Sequence, residues 1–413
     1  MGKHILFLNA TYIHKIATLA TAKDLGFTVT VVDTALPDWA SPYTDCFIEA
    51  DTYDLSKFEE ALVALRKRHE ELPFDGVVTF WHYGILPAAL VAAEFGLPGC
   101  SVEAAENACN KFKMREALRR ADVPHPKFAL ATNWDDLLAA SAMIGYPLIY
   151  KVAGAAGSAG VFKVTTPGEL RAIYEQSQNH VNPENDLLFA YYPQQYVVEE
   201  FMEGREVSVE AIVAQGIVHS VAVTDKWATP TYFTEYQHAI PARLDQTTSA
   251  EVIRVTEAGV KALGLDNCGV HAEVMITQEG CKIVEINARL GGDFITTHLV
   301  PLACGVDIVR ANLLAVVGEP FDLTQRWQRG SCVRFLLAER EGFVNAWKGV
   351  ESLQHMTGVR TFGIDKQVGD VVFLPPKKFF GFRIGYVITD GNDVAEAIQR
   401  AERAATELQC IIL

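Results

Sequence analysis

Short apolar runs and amphipathic stretches alternate over the first hundred residues. The runs ILFL, VTVV and GVVTF have the character of buried strands, and the segments at 16–25 and 55–71 have helical periodicity. Strands separated by helices at this spacing indicate βαβ units and therefore a parallel sheet. The pattern predicts an α/β domain over residues 1–103.

The pattern of predicted helices and strands changes in the rest of the chain. A helix is predicted at 104–121, because the prolines of VPHP at 124 and 126 cannot continue it. From 147 to 285 strands follow one another over short turns, which indicates antiparallel α+β structure: PLIYKVA, GVFKV, YVVEEFM, EVSVEAIVA, IVHSVAVTD, HAEVMIT and CKIVEINA. Further strands and a closing helix at 393–408 are predicted after 330.

The first domain lacks the glycine-rich fingerprint of a dinucleotide site. After its first strand the chain reads NATYIHK. We therefore predict a domain that is Rossmann-like only in the loose sense, and we do not expect a nicotinamide-dependent oxidoreductase.

Composition narrows the class of protein. A chain of 413 residues should divide into two or three domains. Its formal charge of -15, from 36 basic and 51 acidic residues, repels phosphate backbones, so no nucleic-acid partner is expected. The 8 cysteines are scattered without a CxxC motif, as in reduced cytoplasmic proteins. The first residues show no secretory cleavage site, and no run reaches the roughly 18 apolar residues of a membrane span.

A glycine-rich turn follows Lys151 between two predicted strands. The segment AGAAGSAG at 153–160 includes Gly157 and Ser158. Small residues let backbone N–H groups approach phosphate oxygens, and the lysine can supply the countercharge. A flexible hairpin with an exposed lysine explains the same segment equally well.

Carboxylates end the strand at 197–200. In VVEEFMEGREVSVE an apolar strand runs into two glutamates and a phenylalanine, and Glu206 begins the next strand. Backbone groups at such a turn can bind the edge of an adenine, and a nearby carboxylate can accept from ribose hydroxyls. Acidic residues at strand ends are common, so this segment indicates a nucleotide site only in combination with the neighbouring motifs.

The pair HAEVMIT and CKIVEINARLGGDF carries the strongest signal. Glu273 lies on one strand, and Glu285 and Asn287 share a face of the next by the period of two. Two carboxylates and an amide oxygen suit Mg²⁺ bridging nucleotide phosphates. Arg289 follows two residues later and could hold a transferring phosphoryl group or an oxyanion. A surface ion pair of Glu285 with Arg289 is the simpler alternative.

In chain order these elements resemble the ATP-grasp superfamily over about 104–330. They are Lys111 in NKFKMREAL, Lys151, EEFMEG with Glu206, and Glu273 followed by EINARLGG. The resemblance implies an ATP-grasp fold after the first domain. Its parts would be lobe A with the glycine-rich loop at 104–195, lobe B with the metal site at 196–330, and an α+β portion packed on lobe B at 331–413.

The resemblance also implies roles for individual residues. Lys111 and Lys151 would bind the nucleotide phosphates with Gly157 and Ser158, although Lys113 lies close enough to leave the first lysine open. The other implied contacts are adenine with Glu199, Glu200, Phe201 and Met202, ribose with Glu206, and Mg²⁺, which Mn²⁺ could replace, with Glu273, Glu285 and Asn287. Arg289 and Lys151 would act in catalysis.

Within the superfamily, TEYQHAIPARL is similar to the substrate loop of the dipeptide-forming L-amino-acid ligases of bacilysin and dapdiamide type. The likeness places Glu235 and His238 at amino-acid substrates on a mobile loop, together with Arg289 and Gly292. A lone histidine in a loop could also be merely solvated. His271, beside the metal set, is expected to be mainly structural.

These observations predict a magnesium- and ATP-dependent ligase. A carboxylate would attack ATP to give an acyl phosphate, and an amino-acid amine would then form the amide, as in dipeptide antibiotic biosynthesis. A carboxylase or purine-pathway ligase of the same fold is the alternative. We expect small-molecule substrates, no nucleic acid, no membrane, a cytoplasmic location and, as the commonest assembly, a homodimer.

Overall fold

A parallel sheet with helices on both faces forms the first part of the protein. A computed structural model describes residues 2–10, 13–185, 187–375, 377–378 and 381–413. The strands of this sheet, in the order β3-β2-β1-β4, are β1 (His4–Leu8), β2 (Thr28–Asp33), β3 (Cys46–Glu49) and β4 (Gly76–Val78). Its helices are α1 (Ile16–Asp24), α2 (Phe58–Glu71) and α3 (Ile85–Phe95). The predicted parallel sheet is confirmed.

Two helices replace the single one predicted at 104–121. They are α4 (Val102–Cys109) and α5 (Lys111–Arg120), and Asn110 separates them with an extended backbone. The Asn110 side chain accepts from the backbone N–H groups of Phe112 and Lys113, which is the capping arrangement that starts a new helix. The break changes the direction of the chain just before Lys111.

A small antiparallel sheet with two helices, called lobe A below, spans residues 128–200 and so includes the strand at 196–200 that was predicted to lie in lobe B. Its elements are β5 (Phe128–Ala131), α6 (Trp134–Ile144), β6 (Leu148–Val152), β7 (Val161–Val164), α7 (Pro167–His180) and β8 (Tyr196–Glu200). The strand order is β5-β8-β6-β7. The glycine-rich segment connects β6 to β7, so it lies at the open end of this sheet.

An eight-stranded sheet dominates the remainder of the described chain. Its order is β13-β12-β9-β10-β11-β14-β18-β16. The strands are β9 (Arg205–Ala214), β10 (Ile217–Ala228), β11 (Glu235–Ile240), β12 (Cys268–Thr277), β13 (Gly280–Asn287), β14 (Gly330–Leu337), β16 (Val359–Ile364) and β18 (Arg383–Gly391). A smaller sheet, ordered β17-β15-β19, holds β15 (Gly342–Lys348), β17 (Val371–Val372) and β19 (Gln409–Ile412). Strands from after 330 therefore extend the sheet of lobe B.

Helices from this part cover the sheets. They are α8 (Gln246–Leu263), α9 (Val300–Cys304), α10 (Ile308–Val316), α11 (Val350–Leu353) and α12 (Val394–Glu407). Helix α8 packs on the apolar face of the large sheet through Val252, Val255 and Val260, while Val309 and Leu313 of α10 join the core of the parallel sheet. No single helix of the described chain has the length and hydropathy to cross a membrane, although the bent pair 295–304 and 308–316 passes by length and composition.

Candidate active site

One face of the large sheet is lined with polar side chains. In the register of the strands, Ser208 pairs with Glu273, Glu210 with His271, and Glu273 with Glu285. Residues directly opposite one another share a face, so these polar groups converge. The intervening residues, such as Val209 and Ala272, are fully buried on the opposite face. The sheet thus has an apolar face against α8 and an opposite face that carries these polar groups.

The predicted metal ligands lie together on this polar face. Glu273 faces Glu285 across β12 and β13, and Asn287 follows Glu285 on the same face, opposite His271. Asn287 Oδ1 is 2.9 Å from Nδ1 of His82. Hard oxygen donors grouped in this way fit the chemistry of Mg²⁺.

Lys111, and not Lys113, points into this site. Lys111 begins α5, is 5% exposed, and places Nζ 3.1 Å from Oε2 of Glu285. Its Nζ also donates to the carbonyl of Ala155 in the glycine-rich segment. Lys113 instead pairs with Glu106 on α4, and its side chain is 43% exposed. The placement favours Lys111 as the first phosphate-binding lysine.

Lys151 forms a buried ion pair with Glu199. Lys151 Nζ is 2.7 Å from Glu199 Oε2, and Arg115 Nε is 2.8 Å from Oε1 of the same carboxylate. Burial favours the neutral carboxylic acid, but Arg115 and Lys151 outweigh it and lower the pKa of Glu199 to about 2. Burial also lowers the pKa of Lys151 despite Glu199. The Glu199 side chain is thus paired with two cations, and its main chain pairs with Phe128 of β5 and Ile149 of β6 in the sheet.

The glycine-rich segment touches the turn that precedes β11. Gly157 and Ser158 both have left-handed backbones, with φ near 62° and 63°, and Ser158 Oγ donates to the carbonyl of Phe233 at 2.9 Å. The ring of Phe233 lies 6.5 Å from that of Phe201, and Lys163 Nζ lies 3.6 Å from the centre of the Phe201 ring. The contact between Ser158 and Phe233 joins lobe A to the large sheet, beside the segment predicted to frame adenine.

The connection between the lobes carries the other predicted nucleotide residues. Glu200 ends β8 and lies 2.8 Å from Lys282 of β13, while Met202 belongs to the short link that leads into β9. Glu206 stands on β9, where its Oε1 is 2.7 Å from Nζ of Lys226. These residues follow one another from the end of β8, through the link, into β9.

Glu235 and His238 stand on a strand, which corrects the prediction of a mobile loop. β11 lies inside the large sheet, between β10 and β14, and His238 is fully buried rather than solvated. The pairing of β10 with β11 shifts by one residue between Trp227 and Ala228. This β-bulge re-aims the side chains, so two residues three positions apart lie on the same face.

His238 connects Glu235 with a carboxylate that the sequence did not single out. Its Nε2 is 3.5 Å from Glu235 and 3.3 Å from Asp293. Asp293 lies 2.9 Å from NH1 of Arg383, a residue of β18 that also donates to the carbonyl of Glu235. Burial would raise the pKa of Asp293, but Arg383 and His238 hold it well below its usual range. The C-terminal strands therefore contribute a residue to the candidate site.

Arg289 lies next to further cations. One guanidinium N–H donates to the carbonyl of Leu290 at 2.9 Å. Burial and the neighbouring charge of Lys111 lower the pKa of His82 to about 4, and Arg289 acts in the same direction. Burial and Arg289 similarly lower the pKa of Lys15 to about 8. Arg289 therefore lies close enough to influence both His82 and Lys15. A β-carbon at Gly292 would meet open space.

His271 is a buried structural member of the polar face. Its Nδ1 is 2.7 Å from Glu210, and Nε2 is 3.4 Å from Glu273. Burial would lower the pKa of His271, but Glu210 and Glu273 outweigh it and raise the pKa to about 9. Gly291 donates its N–H to Glu210, and a β-carbon there would lie 2.5 Å from that carboxylate. The contacts of Glu210 with His271 and Gly291 therefore hold the EINARLGG segment against β9.

Comparisons with known families agree with this geometry. Residues 144–298 match the ATP-grasp domain, residues 19–99 match the ATP-grasp N-terminal domain, and residues 334–412 match the L-amino acid ligase C-terminal domain 2. The chain contains an ATP-grasp domain at residues 144–298. The predicted ATP-grasp fold is thereby confirmed.

Two relatives and one solved structure give the extent of the likeness. An uncharacterised protein, y4rH, of Sinorhizobium fredii is 26% identical over 90% of this chain and 76% of its own. The alanine–anticapsin ligase of Bacillus subtilis is 29% identical over 67% of this chain, which spans 59% of that ligase. The crystal structure of L-amino acid ligase from Bacillus licheniformis matches with a TM-score of 0.84 at 21% identity, covering 100% of this chain and 99% of that one.

Several residues of this candidate site were not predicted from the sequence. Lys226 ends the alternating run IVHSVAVTDK, and Asp293 directly follows LGG, so each stood beside a recognised segment. His82 and Lys15 lie in the first domain, where no signal separated them from ordinary loop residues. Arg383 lies 90 positions after Asp293, and only the folded chain brings them together.

Proposed function

We propose that this protein is an ATP-dependent ligase that joins a carboxylate to the amine of an amino acid through an acyl phosphate. One observation supports the proposal: the predicted metal ligands Glu273, Glu285 and Asn287 share a face, with Lys111 and Arg289 nearby. Such a set suits both a metal–nucleotide complex and a developing oxyanion.

The lysines would hold the nucleotide. Lys111 and Lys151 each lie beside a carboxylate, and each can donate to phosphate oxygens with the backbone of the segment around Gly157. Magnesium, held by Glu273, Glu285 and Asn287, would neutralise charge on the transferring phosphoryl group. Glu206 would accept hydrogen bonds from the ribose. Lobe A would cover the site and exclude water from a reactive acyl phosphate.

The reaction would proceed in two displacements. A carboxylate oxygen attacks the γ-phosphorus of ATP, and ADP leaves. A neutral amine then attacks the activated carbonyl carbon, the C–O bond to phosphate breaks, and the amine loses a proton. Arg289 would stabilise the negative charge on the carbonyl oxygen of the tetrahedral intermediate.

The amino-acid subsite would be the group formed by Glu235, His238 and Asp293. Two carboxylates near one imidazole favour a bound ammonium group, whereas Arg289 and Arg383 favour a carboxylate. An α-amino acid carries both charges. The match of residues 334–412 to an L-amino acid ligase domain supports this assignment over a purine-pathway or carboxylase reaction, because that segment includes Arg383.

The proposal is tested by phosphate release from ATP and Mg²⁺ across a pairwise panel of amino acids and small carboxylic acids. Mass spectrometry of each active mixture identifies the product. Phosphate that accumulates together with a condensed amide is the expected result. Phosphate release that depends on bicarbonate or a purine ribonucleotide would instead establish the alternative reaction.

Glu285→Gln and Glu279→Gln form a matched pair of variants for the same assay. Both residues are glutamates of the β12–β13 hairpin, but Glu279 lies on its turn with a side chain that is 77% exposed. Product formation should fall with the first variant and persist with the second.

A further inference from the structure

A buried lysine stands at the centre of the polar face without a ligand assigned to it. Lys226 lies near the end of β10, directly opposite His238 of β11, and its side chain is 2% exposed. The other buried lysines of the site, Lys111 and Lys151, are each expected to bind phosphates. Lys226 requires a different explanation.

The ammonium group of Lys226 is surrounded by three carboxylates. Its Nζ lies 2.7 Å from Glu206, 2.5 Å from Glu235 and 2.5 Å from Glu273. The contacts with Glu206 and Glu273 are hydrogen bonds, and the contact with Glu235 is an ion pair. Lys111 and Lys151 each form an ion pair with a single carboxylate among the described residues, and the group of three carboxylates separates Lys226 from them.

The three carboxylates come from different strands and depend on Lys226 to stay close. Glu206 belongs to β9, Glu235 to β11 and Glu273 to β12, and their oxygens lie within 4.8 Å of one another. Three like charges at this spacing repel strongly in a partly buried site. The ammonium occupies the centre of the group, where it offsets that repulsion.

Each carboxylate is proposed to serve a different ligand. Glu206 would bind ribose, Glu273 would bind magnesium, and Glu235 would contact the amino acid. We propose that Lys226 is a positioning residue that couples the nucleotide side of the site to the amino-acid side. This inference rests on the proposed function and adds a specific route by which occupation of one subsite alters the other.

The coupling follows from the shared cation. A carboxylate that turns toward its own ligand weakens its contact with Lys226, and the lysine then holds the other two more strongly. Because the three contacts compete for one ammonium group, the free energies of binding at the subsites are not independent.

A mutant cycle between Lys226 and Glu235 tests the coupling, with the affinity for MgADP as the readout. Glu235 is not predicted to touch ADP, and its direct Coulomb effect on the phosphates is the same with or without Lys226. Calorimetric titrations would compare the wild type, Lys226→Met, Glu235→Gln and the double variant. We expect Lys226→Met to weaken MgADP binding about tenfold. The effect of Glu235→Gln should differ at least about fivefold between the two backgrounds.

The controls separate positioning from simple stabilisation. Lys226→Arg keeps the charge and the donors, so it should recover most of the affinity and of the coupling. Lys23→Met removes the same charge from an exposed pair with Asp45 and should leave MgADP affinity unchanged. If circular dichroism shows that Lys226→Met does not fold, Lys226→Gln carries the same cycle.

The possible failures are distinguishable. Equal effects of Glu235→Gln in both backgrounds would overturn the role of Lys226 while leaving the ligase proposal intact. A wild-type protein that does not bind MgADP would overturn the proposed function itself.

Discussion

The N-terminal parallel sheet and the large antiparallel sheet use their faces differently. In the first, Ile5 and Phe7 point into one apolar core while Leu6 and Leu8 point into another. In the second, the apolar face packs on α8 and the opposite face carries carboxylates, an amide and cations. Buried charges weaken a fold unless they are well paired, so stability alone does not explain such a face. A ligand site can therefore be recognised as a buried sheet face whose alternate residues are polar.

The same contrast appears in two buried histidines. The ring nitrogens of His4 on β1 lie beside neutral groups, the carbonyls of Leu72 and Pro73 and the hydroxyl of Thr30. Burial dominates there and lowers the pKa of His4. In the large sheet, Glu210 and Glu273 overcome burial and raise the pKa of His271 to about 9. One sheet therefore favours a neutral imidazole, and the other favours a charged one.

The sharpest test of the comparison is Glu285→Gln. The substitution keeps the shape of the side chain but removes a predicted metal ligand and the partner of Lys111. Product formation should fall by about 10²- to 10³-fold, as for the loss of a group that stabilises transition-state charge. The free energy of unfolding should change little, since the glutamine can still accept from Lys111. Steady-state phosphate release and urea unfolding measure the two quantities.

Ile5→Ala is the opposite experiment in the parallel sheet. Ile5 is fully buried in the core that also receives α10. Truncation should cost about 2 to 4 kcal/mol of unfolding free energy through lost burial and a residual cavity. Affinity for MgADP at a temperature where the variant is folded should stay within about twofold of the wild type. A large loss of MgADP affinity without a loss of unfolding free energy would contradict the distinction between a structural sheet and a ligand-binding sheet.

Local patterns were sufficient to predict much of the fold and part of the site. The period of two placed Glu285 and Asn287 on one face, and the family resemblance predicted the ATP-grasp fold, which the comparisons confirm. The break at Asn110 was missed because residues on both sides favour helix. Its signal was the asparagine itself, which is a good N-cap but is also tolerated inside helices.

The missing parts depend on long-range pairing. Glu235 and His238 share a face only because β11 is bulged against β10, and periodicity within one strand cannot reveal a bulge. Lys226 contacts carboxylates of β9, β11 and β12, and these carboxylates come together only in the folded sheet. Arg383 reaches Asp293 from a C-terminal strand for the same reason.

A third prediction separates two lysines that the sequence could not distinguish. Lys111→Ala should weaken MgADP binding by about tenfold, because it removes a charge-assisted contact to phosphate from a buried position. Lys113→Ala removes the same charge two residues away, but its exposed pair with Glu106 is worth little. Its effect on affinity should be below about twofold. Isothermal titration of both variants makes the comparison, and equal losses would show that the polar face does not define the phosphate site.

The smallest expected effect is the pH dependence of the two histidines. An unfolded histidine has a pKa near 6.5. Because the pKa of His4 is lowered by folding, its stabilising contribution is complete above about pH 6.5 and is lost as the pH falls below it. Because the pKa of His271 is raised, its contribution is complete below about pH 6.5 and is lost as the pH rises through about 9. Urea unfolding at pH 5.5, 7.0 and 9.0, without nucleotide or divalent metal, should show a shallower acid loss for His4→Gln and a shallower alkaline loss for His271→Gln than for the wild type. If both variants reduced the loss of unfolding free energy at the same end of the pH range, the two sheets would not differ in their effect on a buried charge.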